Sequence, residues 1–555
     1  MIAQDGGAKN DSKSGSSKSG NSKLSVAPPR NPVFQDYYTD EDYDQVLSQL
    51  PDLVTQAKMN AQEILEPTLT EQQEVHNFIM NYMRKKQIGK IYGGTAMHTI
   101  LKEKGETIYE ECEIADIDFY SPTPVQDLVD LCNTLYENGY KFVQGKEAQH
   151  DESFSIFVNM QLYCQISYVP ARVYHGIKTI EIDGIRYTHP HFSLIDQLRM
   201  FNDPMNSAWR WEKSFKRVYL LLKHYPFEYY DKPLKINNPN KPIDEYVHKM
   251  KTEFFMSPDA QKNCLISGFE AYNFFVKHAA NDRAVEKMAR VTYDTSSNQL
   301  LNLISGVPYL EIVSVDYVDT VHKIYDFLLK IVADPKLLSI EEFFPLFQYA
   351  NHLTVINYGT EPICKIYESD GMCVPHIKTT KGYMYVSYQY LLMFVLICKL
   401  RAHLDKNKDM YFNYSIMFSN LIKVRNIFLT ENNLGVINKS VFSEFKVSCT
   451  GKTISFVRVS QLRRMERLAK GKSAQFIYEP RRFLDKNVEP PKFDPTKHRF
   501  SNTSGNKIVN PKHQMFKIDN NNHLINVKDV EEAYVDAAEA KQEADTTVSP
   551  SPTVN

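Results

Sequence analysis

The stretch whose reading decides the fold is Lys90 to Tyr120, KIYGGTAMHTILKEKGETIYEECEIADIDFY. A Gly-Gly-Thr turn opens a short helical run, Ala96 to Lys102, and a strand follows with Asp116 and Asp118 one residue apart. Side chains at i and i+2 of a strand leave the same face, so both carboxylates point one way while Ile117 and Phe119 point the other. Gly93 and Gly94 carry no side chain to keep a phosphate from their N–H groups, and the helix behind them adds the positive end of its dipole. Thr95 is placed to donate its hydroxyl to the same anion. Either half alone would describe a turn or a solvated edge strand; in this order they predict a metal-holding strand edge beside a phosphate cradle.

Length and composition bound the rest. At roughly 150 residues per domain, 555 residues suggest two to four domains. A formal charge of −2 means that the molecule as a whole does not attract polyanions, so nucleic-acid binding must come from local basic patches. The eight cysteines are scattered without a CxxC pair, and Met1 to Arg30 lacks the apolar core of a signal peptide, a pattern of a reducing intracellular compartment. Cys364, Cys373 and His376 lie near one another but lack a second ligand pair for zinc. The longest apolar run, Tyr390 to Cys398, is far short of a bilayer span, so no membrane segment is expected.

Taken in order, residues 1–30 are Gly, Ser, Asn and Lys with almost nothing to bury, and read as a disordered tail. Residues 31–85 carry apolar side chains at three- and four-residue steps and read as helical. Residues 86–242 alternate strand and helix signals: a helix from Thr123 to Asn138, strands at Tyr140 to Val143, Phe154 to Val158, Leu162 to Val169 and Thr179 to Tyr187, and an Asp183-Gly184 hairpin turn. Ser193 and Asp196 read as a capping box for Leu194 to Phe201. On the helix Ser207 to His224, Trp211, Phe215, Val218 and Leu222 gather on a buried face beside a basic stripe of Arg210, Lys213 and Arg217, which would suit a triphosphate or plain solvent. A second globular unit, 243–440, contains LEIVSVDY with Ser314 and Asp316 two apart, a weaker echo with a structural role. Residues 441–483 crowd Arg458, Arg463, Arg464, Arg467, Lys470, Lys472, Arg481 and Arg482 around Phe456, Phe476 and Tyr478, a composition for contacts to single-stranded nucleic acid or for a solvated basic helix. Residues 484–555 read as an extended or disordered tail.

YGGTAMHTIL…ADIDFY, followed by IEIDGIRYTHPHFSLIDQLRMFNDP and WRWEKSFKRVYLLLKHYP, resembles the catalytic subunit of the poly(A) polymerases of poxviruses and other large DNA viruses, giant amoebal viruses among them. The resemblance runs roughly from Asp36 to Arg482. It implies an α+β architecture: a helical N-terminal region, a polymerase β-like nucleotidyltransferase catalytic domain, and a second, degenerate domain of that fold without its acids. It implies template-independent transfer of AMP from ATP to an mRNA 3′-hydroxyl with release of pyrophosphate, in the host cytoplasm at the viral factory or in the virion. Asp116 and Asp118 would hold two Mg²⁺ or Mn²⁺ ions, with Gly93, Gly94 and Thr95 cradling the β- and γ-phosphates. Lys213 and Arg217 would face the leaving pyrophosphate, and Arg463, Arg464 and Arg467 the single-stranded RNA. A homodimer and a viral processivity partner are both compatible with the resemblance.

One departure stands out. The superfamily places a third carboxylate on a strand after the pair, and LYCQISYVP offers Gln165 or Ser167 there. Either Asp183, Glu181 or Asp151 reaches the site, or two carboxylates suffice with the substrate phosphates. The rivals are a nucleotidyltransferase of different base or acceptor and an inactive RNA-binding scaffold.

Overall fold

The structure, a computed structural model, describes residues 38–109, 113–150, 152–230, 232–287, 300–343, 346, 352–369 and 371–484, and beyond them 492–493, 503–504, 507–509, 514–527 and 534–535. The tail expected over 1–30 and the candidate acid Asp151 lie outside these residues. Helix α1, Asp40–Ile64, belongs to a unit of its own, Met1–Leu65. Thr39 caps it reciprocally: its hydroxyl accepts from the Asp42 amide while the Asp42 carboxylate takes the Thr39 amide at 2.8 Å. None of its side chains is buried, and Tyr43, Leu47, Leu50 and Val54 are exposed.

Glu66–Asn555 forms the other unit, built on two large sheets. The first comprises β1 (Lys90–Tyr92), β2 (Ile117–Ser121), β3 (Gln144–Glu147), β4 (Ser153–Val158), β5 (Gln161–Tyr168), β6 (Thr179–Ile182) and β7 (Ile185–Thr188), in the order β3-β4-β5-β2-β1-β7-β6. β2 lies between antiparallel β1 and parallel β5. Ile117 and Phe119 are fully buried with Ile91, Cys164 and Ile166, under α2 (Leu69–Lys86) and α4 (Pro124–Glu137). The opposite face carries Tyr120 into a core shared with α5 (Ala171–Gly176), α6 (Pro190–Phe201) and the second sheet. Helix α3 (Gly93–Lys102) uses Ala96 and Ile100 on the first core, and Met97 and Leu101 against Leu220 and Leu221 of α7 (Trp211–His224).

Several local expectations are corrected. The helix after the glycine pair begins at Gly93 itself, three residues earlier than the sequence suggested. The strand expected at Tyr140 to Val143 forms at Gln144–Glu147. On α7 the buried residues are Ser214, Leu220 and Leu221, whereas Phe215 and Leu222 are exposed, because the helix packs on α3 through its Leu pair. Helix α6 starts at Pro190 with His189 as its cap, so Ser193 and Asp196 lie inside the helix rather than at its start.

The second sheet repeats the first in register. β8 (Cys264–Ser267) runs into Gly268 and a helix, Gly268–Lys287, as β1 runs into Gly93 and α3. β9 (Leu310–Ser314) pairs with β8 as β2 pairs with β1: Ser267 faces Glu311 where Tyr92 faces Asp118. With β10 (Leu338–Phe343) and β11 (Leu353–Tyr358) preceding it, β12 (Glu361–Glu368) lies parallel to β9, and Lys365 faces Glu311 where Gln165 faces Asp118. After each acid strand a serine three residues on ties down the next helix: Ser121 Oγ to the Asp127 carboxylate, and Ser314 Oγ to Thr320 Oγ1 at 2.7 Å. The echo of Asp118 is therefore Glu311, and not Ser314 or Asp316 as the spacing suggested.

Some of the side chains expected to face RNA in residues 441–483 turn out to be fastenings. Arg467 is buried, donating to the Ser473 carbonyl at 2.9 Å and pairing with Glu147 of β3, and Arg463 pairs with the same carboxylate at 3.4 Å. Phe476 and Tyr478 are fully buried against the first sheet, where Ile477–Tyr478 adds an edge strand beside β3. The expectation that Arg467 faces RNA, and that Phe476 and Tyr478 stack bases, is thus corrected; Arg463 and Arg464 are half-buried. Strand Cys449–Thr450 joins Val374–Lys378 of the second sheet, and Cys373 and Cys449 form a disulfide, Cα atoms 5.3 Å apart, where the scattered cysteines had suggested free thiols throughout. Part of the expected 484–555 tail is folded: a hairpin of Phe516–Ile518 and Leu524–Asn526 buries Phe516, and the Met515 and Phe516 amides donate to Glu342. No helix among the described residues is long and apolar enough to cross a membrane. Removing Arg467 leaves the buried Glu147 carboxylate with one arginine fewer and takes the donor from the Ser473 carbonyl, so Arg467→Ala should lower stability by about 2 kcal/mol in chemical denaturation; a loss within the ~0.5 kcal/mol of an ordinary surface substitution would contradict this fastening.

Candidate active site

The site is built where β1 ends and α3 begins. Gly93 has φ +70°, a left-handed conformation that costs a side-chain-bearing residue energy, and a Cβ placed on it would lie 2.9 Å from Asp118 Oδ2. The carboxylate therefore lies where a side chain at Gly93 would stand. Register explains the placement, because Tyr92, the residue before the turn, is the cross-strand partner of Asp118. Thr95 is buried in the first turn of α3 and donates to the Asp116 carbonyl at 2.6 Å. This differs from the phosphate contact expected of it: the hydroxyl ties the helix start to the segment entering β2.

The electrostatics of the pair are those of crowded acids. Burial, then Asp116, then Asp196 push the Asp118 carboxyl up to about 8, with Arg210 pulling the other way. Burial also raises Asp116. Hard oxygen donors held at such a potential fit a divalent cation, which commonly takes one or two protein carboxylates and completes its shell with water and substrate phosphates. Among the described residues no three His, Cys, Asp or Glu side chains gather as a ready-made metal site.

The third-acid alternatives resolve as follows. Gln165 is the partner of Asp118 on β5, and Ser167 Oγ lies 2.9 Å from both Tyr92 Oη and Ser153 Oγ. Glu181 and Asp183 lie on β6 and its turn, with β7 and β1 between them and β2, about 14 Å away at ordinary strand spacing. The sheet therefore brings neither of them to the pair. The additional carboxylate whose charge reaches Asp118 is Asp196, from the middle of α6, which sequence reasoning had assigned to a cap.

Lys213 and Arg217, one turn apart on α7, converge on Tyr109. Arg217 donates to Tyr109 Oη at 3.2 Å, and the two cations lie 5.5 Å and 5.7 Å from the ring centroid. The same hydroxyl sits on the glycine turn, 1.8 Å from where a Gly94 Cβ would be. The structure thus brings Gly93, Gly94, Asp116, Asp118, Lys213 and Arg217 to one place. Arg463, Arg464 and Arg467 belong to helix Phe456–Ala469, next to the β3–β4 loop, where Arg463 also donates to the Gln149 carbonyl at 3.3 Å. Sequence reasoning missed Tyr109 and Asp196; no spacing rule links Tyr109 to α7, since the two meet only through packing of α3 on α7. Next to Arg210, whose charge reaches Asp118, Trp209 is 76% exposed, with the guanidinium 4.6 Å from its ring.

Residues 77–207 match the family model "Poly(A) polymerase catalytic subunit", and residues 241–518 match "APMV, Putative poly(A) polymerase, catalytic subunit, C-terminal". The chain is 50% identical over 522 residues to the "Putative poly(A) polymerase catalytic subunit" of Acanthamoeba polyphaga mimivirus, covering 91% of this chain and 89% of that one. It is 30% identical over 204 residues, 36% of this chain and 38% of the other, to the protein of the same name from African swine fever virus, Badajoz 1971 strain. The crystal structure of the Megavirus polyadenylate synthase superposes with a TM-score of 0.81 at 49% identity, over 91% of this chain and 100% of that one. With the acid pair set against the glycine turn, and with sequence and fold shared over nine-tenths of its length, the chain belongs to the viral poly(A) polymerase catalytic-subunit family, nucleotidyltransferases of an α+β fold.

Proposed function

We propose that the chain extends the 3′ end of single-stranded mRNA without a template, transferring AMP from ATP and releasing pyrophosphate, on the face formed by Gly93, Gly94, Asp116 and Asp118. The observation that carries this reading is the Asp118 carboxylate standing in the space of the absent Gly93 side chain, which puts an anion-binding turn within one side-chain length of a cation-binding pair. Bound Mg²⁺ or Mn²⁺ would make the RNA 3′-hydroxyl more acidic and offset charge on the triphosphate. Asp116 and Asp118 hold the ions, and Thr95 keeps the Asp116 backbone in place through its carbonyl. Free amides of the first turn of α3 face the phosphates. Lys213 and Arg217 oppose the negative charge that grows on the leaving pyrophosphate. For the RNA, Arg464 and the exposed Trp209–Arg210 pair offer charge and a stacking surface near the acids.

The exposed apolar side of α1 suits a protein contact, either with a second copy of the chain or with a viral processivity partner, and light scattering of the purified protein separates the two. The expected location is the host cytoplasm at the viral factory, or the virion. Gln165 standing opposite Asp118 favours the second reading, an inactive RNA-binding scaffold, and divalent-dependent incorporation of labelled ATP decides between them. Trials of one RNA primer with each nucleoside triphosphate separately decide the base.

Asp116→Ala should reduce AMP incorporation by at least about 10³-fold, the scale of removing one member of an interdependent catalytic set, with the melting temperature unchanged; retained activity would remove the assignment. Arg217→Ala should raise the KM for ATP by roughly 10-fold or more, the worth of a hydrogen bond to a charged group, and leave the KM for primer alone. Metal must displace protons from these raised carboxyls, so Mn²⁺ affinity should rise with pH up to about 8 and fall below it, by up to about tenfold per pH unit for each proton released. Mn²⁺ titration by electron paramagnetic resonance at pH 6 and pH 8 checks this; equal affinity at both would contradict it.

A further inference from the structure

The glycine turn is not open to its surroundings. Tyr109 Oη lies 1.8 Å from the point where a Gly94 Cβ would stand, with Cζ at 3.0 Å, so the phenol fills the space that the absent side chain leaves over the first turn of α3. Ile108, beside it, packs against the Met97, Leu101, Leu220 and Leu221 cluster, which anchors this segment at the α3–α7 contact. Three side chains converge on the ring: Lys213 and Arg217, and His98 with its ring 5.4 Å away. The phenol serves them incompletely. Among the described residues it accepts one bond, from Arg217 at 3.2 Å, while Arg217 Nε and His98 Nδ1 are both buried without a hydrogen-bond partner.

Buried polar groups are almost always paired, and Arg217 Nε is a donor in every state, so its orphaned N–H beside one neutral hydroxyl points to a ligand richer in acceptors. A phosphate oxygen has that character: it carries charge and takes several hydrogen bonds, and Arg forks match it bidentately. The phenol cannot supply this, since burial raises its pKa and keeps it neutral.

We propose that Tyr109 is a positioning residue for the nucleotide: its ring seats Lys213 and Arg217 beside the glycine turn, and its hydroxyl occupies the place of a phosphate oxygen until the triphosphate displaces it. The idea rests on the triphosphate site proposed above and deepens it. Tyr109 has two separable effects. The ring favours nucleotide binding by holding two like charges together over its face. The hydroxyl opposes binding, because its bond to Arg217 must break first.

Binding of ATP and of inorganic tripolyphosphate to the full chain tests this, with Tyr109→Phe, Tyr109→Ala and Arg217→Ala alongside the unaltered protein. Tyr109→Phe keeps the ring and removes the competing acceptor, so both ligands should bind between about two- and tenfold tighter. Tyr109→Ala removes the seat as well and should weaken both ligands severalfold. A merely structural tyrosine would not give opposite signs in the two variants. Weaker or unchanged binding in Tyr109→Phe overturns the proposal. If that occurs while Arg217→Ala weakens binding, only the role of Tyr109 is lost; if Arg217→Ala also binds normally, the triphosphate site falls with it.

Discussion

The structure depends on one close approach: a backbone turn with no side chain pressed against a carboxylate. Gly93 can adopt its positive φ and admit the Asp118 oxygen only because it lacks a Cβ. Antiparallel pairing of β1 with β2 sets that approach, and Thr95 locks it from the other side through the Asp116 carbonyl. Buried strands with Ile91, Ile117 and Phe119 on the core face make the register expensive to shift, because a one-residue slip would turn Asp118 into the core. Catalytic geometry here is thus a by-product of ordinary sheet packing.

The second sheet shows what the same register does without chemistry. Gly268, at φ +56°, again faces a carboxylate, but Glu311 is one methylene longer and its oxygen enters the space of the missing Cβ. There it accepts the Phe269 amide at 3.3 Å, so the helix start that would take an anion from outside is served from within. Tyr367 also donates to Glu311, and Lys365 stands opposite it with its ammonium 3.8 Å from the centre of the Tyr309 ring. A lysine in the place of Gln165 supplies the positive charge that a metal ion would bring in the first sheet. One half of the duplication keeps its acids unmatched and available; the other neutralises them into a core that runs on to α6.

Local spacing made much of this legible. The glycine pair, the Asp183-Gly184 turn and Lys213 with Arg217 on α7 are encoded within single elements, and Asp116 stands one residue before the strand that carries Asp118, so short-range spacing is enough. The errors fall where partners come from elsewhere in the chain. Asp196 looks like a helix cap until α6 is laid beside β2. Arg467, Phe476 and Tyr478 look like an RNA surface until their segment docks on β3, and a buried Arg paired with Glu147 has the same composition as a free one. Glu311 escaped notice because the in-phase comparison with Asp118 needs the pairing register, which LEIVSVDY alone does not carry. Tyr109 had no signal at all, since its place is fixed by the packing of α3 on α7.

The central claim is that divalent ion and triphosphate meet between the Asp116–Asp118 pair and the turn at Gly93. Anomalous diffraction from crystals grown with Mn²⁺ and a non-hydrolysable ATP analogue tests it most directly. The account predicts manganese within bonding distance of both carboxylates, and β- or γ-phosphate oxygens on the Gly93–Gly94 amides beside Arg217. Manganese bound elsewhere, or a triphosphate lying away from the turn, would contradict it.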